Sequence, residues 1–87
     1  SIALPADTPV DAAISGAPHT APVYFQRGES EANVSLQVNK AYAGSLAKTT
    51  EWQYLEGLDI PDGENVTLTF TATAASSITI KYLGASL

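Results

Sequence analysis

The sequence predicts an all-β domain: a compact antiparallel β-sandwich or jelly-roll-like barrel of five to seven strands with an extended N-terminal arm. Three observations predict it. Apolar and polar residues alternate along Asn33–Asn39 and again from Asn65 to Tyr82, the period of two of half-buried strands. No segment supplies the helix that a parallel crossover usually requires, so neighbouring strands should run antiparallel. Four of the five prolines, Pro5, Pro9, Pro18 and Pro22, lie in the first 22 residues, where they fix φ and oppose helix.

The elements follow in order. Residues 1–22 form the arm, which is more than a solvated linker because Ile2, Leu4, Val10 and Ile14 need cover. Extended, it reaches ~70 Å, against a body of residues 23–87 only ~28 Å across. It therefore folds back on the body or reaches a neighbour. Ala21–Gln26 reads as a short strand through Val23, Tyr24 and Phe25, and Arg27–Glu31 as a polar turn. Val34, Leu36 and Val38 share one face of the next strand, with Ser35 and Gln37 on the other. Lys40–Lys48 fits either one helical turn or a long loop, with Gly44 opposing a longer helix. Thr49–Glu56 reads as a strand with Trp52 and Tyr54 on one face. Ile60–Gly63 is a turn in which Pro presets φ and Gly tolerates a positive one. In the last stretch Val66, Leu68, Phe70 and Ala72 oppose Thr67, Thr69, Thr71 and Thr73. Ala74–Ser77 turns the chain, Ile78, Ile80 and Tyr82 alternate with Thr79 and Lys81, and the two strands should pair as a hairpin.

Composition narrows the function. With 87 residues there is room for one core, and a chain this short buries only about 60–65% of its unfolded surface. Nine acidic and four basic side chains give a formal charge of −5, which repels nucleic-acid backbones and anionic membranes. The absence of Cys removes disulfides and thiolate metal sites. Small domains without such staples borrow stability from oligomers or partners. No apolar run is long enough to span a bilayer, and no secretion signal is visible.

Catalytic groups are scarce. His19 is the single histidine, sits between Pro18 and Thr20, and has no G-x-S-x-G elbow to serve. The carboxylate candidates are Glu29 with Glu31, Glu51 with Glu56, and Asp59, Asp62 and Glu64, each beside a turn where solvated charge is ordinary. The run Asp59–Glu64 misses the spacing of a calcium loop, and turn formation accounts for it. The acceptor triplets at Asn33 and Asn65 are short enough to arise by chance. The reading is therefore no enzyme, no catalytic residue, no metal and no cofactor.

Two surfaces invite partners instead. Lys81 is the single charge in the last 23 residues, although edges and solvent faces normally carry charges that block unwanted pairing. The row Thr67, Thr69, Thr71 thus reads as a contact surface as readily as a plain solvent face. An ice-binding array is a third reading of its spacing. Trp52 and Tyr54 could stack on sugars, but a domain this small needs most of its rings inside, so core placement is expected.

An all-β body, a proline-rich arm, no Cys and a chain opening at Ser1, as after removal of an initiator Met, together resemble the small decoration, or cement, proteins of tailed bacteriophage capsids. The resemblance is one of plan across the whole chain. It implies a structural protein made in the host cytoplasm and placed on the virion surface, as a homo-oligomer such as a trimer, bridging major capsid subunits or other assembly subunits. The arm residues Ile2, Leu4, Val10 and Ile14 would dock onto a neighbour, with Thr67, Thr69 and Thr71 facing other copies. A small carbohydrate-binding or cell-surface adhesion sandwich is the alternative, using Trp52 and Tyr54.

Overall fold

A computed structural model describes residues 1–14, 21–55, 59–60 and 65–82, which form two four-stranded antiparallel sheets. One sheet runs, in spatial order, β1 (Ile2–Leu4), β8 (Ser76–Tyr82), β3 (Ala21–Arg27) and β6 (Asp59–Ile60). The other runs β2 (Val10–Ile14), β7 (Val66–Ala72), β4 (Val34–Val38) and β5 (Ala41–Leu46). The chain is all-β and makes a sandwich, as its alternation predicts. Val23, Phe25 and Ile78 from one sheet meet Val34, Leu36, Leu68, Phe70 and Ala72 from the other, all fully buried. At the centre the Phe25 and Phe70 rings meet edge to face, 5.7 Å apart, the arrangement their quadrupoles favour.

Of the two courses open to the N-terminal arm, the structure shows the one that folds back on the body. It splits, giving β1 to one sheet through Ile2–Ile78 pairing and β2 to the other through five pairs with β7. Pro5 and Pro9 bracket the crossing, at the strand breaks where a missing N–H costs no ladder bond. Asp7 takes a positive φ of 54° there and donates its N–H to the Ala72 carbonyl at 2.7 Å. Leu4 and Ile14 are each 1% exposed, inside the chain's own core, with Ile2 and Val10 packed against it. The boundary between residues 22 and 23 consequently falls within β3, and the strands number eight among the described residues.

The expected C-terminal hairpin is also replaced. β7 pairs with β2 and β4, β8 pairs with β1 and β3, and the two lie in opposite sheets. Thr73–Ala75 carries the chain across, since three residues span the ~10 Å between stacked sheets. From opposite sheets, both strands turn their apolar faces into the core between the layers.

Lys40–Lys48, expected as one helical turn or a long loop, contains strand β5 instead. Val38 pairs with Ala41, and the two residues between, Asn39 and Lys40, have φ of 50° and 71°, as a tight primed hairpin turn demands. Asn39 secures it by donating its N–H to the Thr67 carbonyl (2.8 Å) and accepting the Thr67 N–H on Oδ1 (3.0 Å). The β4–β5 register then slips by one residue, and Gly44 follows at φ 141°. A Cβ on Gly44 would lie 3.3 Å from Leu55 Cδ1, so glycine suits both the backbone and the close approach. The Ile60–Gly63 turn lies mostly outside the described residues; Asp59 and Ile60 pair with Pro22 and Ala21.

Two outcomes are predicted. Phe25→Ala should lower unfolding free energy by about 3–5 kcal/mol, read from the denaturation midpoint. Lys40→Gly should raise it by about 0.5–1 kcal/mol, because glycine relieves the left-handed strain and the exposed Lys40–Asp11 pair it sacrifices contributes little.

Candidate functional site

The most chemically distinctive surface is the outer face of the β1–β8–β3–β6 sheet. β3 buries Val23 and Phe25, so Tyr24 between them points outward. Its cross-strand partner on β8 is Lys81. Along the other edge of β3 lies the segment of residues 47–55, predicted as a strand from Thr49 to Glu56 but joined by the single bridge Gln53–Phe25. Gln53 donates its N–H to the Phe25 carbonyl (2.8 Å) and accepts the Phe25 N–H on its own carbonyl (2.6 Å). Its side-chain amide exchanges another pair with Ala47, at 2.7 and 2.9 Å. Gln26 reaches across to the Thr50 carbonyl at 3.0 Å.

Pinned in this way, Trp52 and Tyr54 flank Gln53 and stand outward, 41% and 47% exposed. Core placement, expected from the size of the domain, is therefore overturned for both: Val, Leu, Ile and Phe fill the narrow core, and the rings are left on the rim of β3. Tyr54 lies 5.1 Å from Tyr24, its ring inclined 56°. The Lys81 ammonium stands 4.5 Å from the centre of the Trp52 ring and 5.7 Å from that of Tyr24. Such cation–ring contacts are worth about 0.5–1 kcal/mol at exposed sites. Three rings and one cation thus make a single fixed patch.

Arg27 anchors its lower end. Placed in a polar turn by its sequence, it is 2% exposed instead. It donates to the carbonyls of Ala47 (3.3 Å), Ser30 (3.5 Å) and Ala32, tying the β3 end to the root of the segment that carries Trp52. Alternation along β3 points Arg27 inward with Val23 and Phe25, a signal available in the sequence and outweighed there by its charge.

The other predicted site residues scatter. Thr67, Thr69 and Thr71 lie on the outer face of β7, an interior strand of its sheet, and Thr69 is only 3% exposed. Thr79, expected beside them, belongs to the opposite sheet. Leu4 and Ile14 are unavailable to a partner in this fold, because burial in their own core consumes their apolar surface. Glu29, Glu31 and Glu51 flank loops, while His19, Glu56, Asp62 and Glu64 lie outside the described residues. Among the described residues no three His, Cys, Asp or Glu side chains gather as a metal site would need.

Among the described residues, Asp11 has a carboxyl shifted by its surroundings. The Thr69 hydroxyl, 2.6 Å away, and next the Lys40 ammonium at 3.3 Å, hold its carboxyl below the ordinary value of 3.8. A carboxyl depressed by folding contributes stability above its unfolded range and loses it as pH falls through its folded value.

Comparison with protein-family models, with curated proteins and with solved structures returned no match, so the site is defined by its own chemistry.

Gln53→Ala should leave the sandwich folded, cost about 1–2 kcal/mol and shift Trp52 emission to the red as the segment loosens. Wild-type stability should fall on acidification through and below pH 3.8, and Asp11→Asn should flatten that part of a thermal-melt pH profile.

Proposed function

We propose that this chain is a non-enzymatic structural module that binds and stabilises a larger protein assembly, with a capsid decoration protein as its most concrete form. The supporting observation is the fixed, exposed patch of Tyr24, Trp52, Tyr54 and Lys81. Interfaces draw most of their binding energy from a few aromatic and cationic side chains, and rigid rings lose little entropy on docking. A sheet offers such rings already ordered. Attachment in this form comes from the body and not from a free arm, since Leu4 and Ile14 are occupied at home. Each bond made in the assembly favours the assembled state by mass action, and cyclic symmetry repeats it around an axis.

Carbohydrate binding is the second reading, favoured by the exposure of Trp52 and Tyr54. It ranks below because sugars stack on open, level rings, whereas Tyr54 is inclined by 56° to the neighbouring Tyr24 ring and Lys81 stands over Trp52.

The test is the double variant Trp52→Ala/Tyr54→Ala. It should keep its far-ultraviolet dichroism and lose at least about tenfold in affinity for the particle purified from the native source. Unchanged co-sedimentation would overturn the assembly reading. A Trp52 emission change on adding oligosaccharides, with no particle binding, would transfer the patch to the carbohydrate reading.

A further inference from the structure

Arg27 is a cation inside the sandwich, 2% exposed. Among the described residues no carboxylate pairs with it, and its Nε–H has no acceptor. A buried charge without a counter-charge stabilises a core poorly, and well-packed apolar groups of similar volume often serve as well or better. What the guanidinium does supply is direction. Its planar fork presents N–H donors at fixed angles, and here they divide between two loops. One terminal nitrogen donates to the Ser30 and Ala32 carbonyls, the other to the Ala47 carbonyl at 3.3 Å.

The two loops differ in how else they are held. Residues 30–33 are fixed to the connection between β7 and β8. Ser30 Oγ accepts the Ala32 N–H (3.1 Å) and donates to the Ala75 carbonyl (3.4 Å). Asn33 donates its N–H to Thr73 Oγ1 and accepts the Thr73 N–H on its carbonyl, both at 2.9 Å.

Residues 47–53 are instead closed on themselves. The Ala47 carbonyl accepts from the Gln53 side-chain amide and from the Thr49 N–H, each at 2.9 Å, as well as from Arg27. A loop closed in this way moves as a unit. Its main chain meets that of β3 at the single bridge of Gln53 and Phe25, and one bridge is a hinge. The further contact from Gln26 to Thr50 is exposed, where water can replace it. Trp52 adjoins the hinge, so rotation there carries its ring away from the Lys81 ammonium, 4.5 Å from its centre.

We propose that Arg27 is a positioning residue for the aromatic patch: from a core strand and a fixed turn it holds the Ala47 end of the loop, which blocks rotation about the Gln53 bridge and keeps Trp52 against Lys81. The inference rests on the reading of that patch as the binding surface, and adds the residue that sets its shape. Arg27 itself is buried and touches no partner.

The test compares Arg27→Lys, Arg27→Met and Ile78→Val in the full chain labelled with ¹³C and ¹⁵N. Lys keeps the charge and replaces the fork by a single ammonium, whereas Met removes both. Ile78→Val thins the core opposite Arg27 and leaves the loop alone, so it reports what lost stability does by itself. In the wild type the Lys81 ε-methylene protons should resonate upfield, because the ammonium they carry stands over the Trp52 ring. Both Arg27 variants should lose most of that displacement. Their Thr49 amide, bonded to the Ala47 carbonyl, should exchange with solvent at least about tenfold faster. Ile78→Val should keep the Lys81 position, and its Thr49 amide should quicken no more than those of Leu36 and Phe70. A wild-type Lys81 position in a folded Arg27 variant, or an equal loss in Ile78→Val, would overturn the proposal. If Arg27→Met does not fold, Arg27→Lys decides alone. Failure of both to fold would also overturn it, since a residue without which the sandwich cannot form is structural first.

The two readings fail separately. An Arg27→Lys chain that keeps Lys81 in place refutes the positioning role, whatever it binds. Loss of the Lys81 displacement with unchanged co-sedimentation on the native particle keeps Arg27 as the positioning residue and removes the patch from the assembly reading.

Discussion

Phe25 joins the inside of this protein to its outside. Its ring packs against Phe70 at the centre of the core, and its backbone holds Gln53 through a reciprocal pair of hydrogen bonds. Gln53 in turn fixes Ala47 and sets Trp52 and Tyr54 on either side of itself. The aromatic patch is therefore built on a main-chain bridge to a strand that the core already immobilises. Binding groups that stand on rigid elements lose less freedom on docking than groups on a free loop.

The second constraint is closure at the edges. A sandwich of 87 residues has little core to spare, and here the N-terminal segment serves both sheets by changing layer between Pro5 and Pro9. Leu4 and Ile14 are the apolar groups that this placement buries. Among the described residues, β1 covers β8 from Ser76 to Ile78.

Strict alternation made much of the fold legible in the sequence. Val34, Leu36 and Val38, and Val66 through Ala72, announced β4 and β7 and the faces they bury. Pairing was not legible, because alternation states which face is inward and is silent on which strand lies alongside; β7 and β8 accordingly went to different sheets. β5 is hard to read because most of its side chains face solvent on an edge, and the extra residue Ala43 interrupts its period. The patch was half legible: Trp52 and Tyr54 were seen to share a face, but the core competes for rings, and only volume in three dimensions decides that competition. Tyr24 and Lys81 join them through cross-strand register. Arg27 is hidden for the opposite reason, since a buried guanidinium that donates to carbonyls contradicts the usual preference of charge for water.

The claim at the centre of this account is that the molecule works by adhering to other polypeptides. Native mass measurement of the particle that contains this chain in its own source tests it most directly. The account predicts that the chain is recovered at a fixed stoichiometry with larger protein subunits, and that it dissociates when Trp52 and Tyr54 are both replaced by alanine. Recovery as a lone monomer of unaltered mass, with no stoichiometric protein companion, would contradict it.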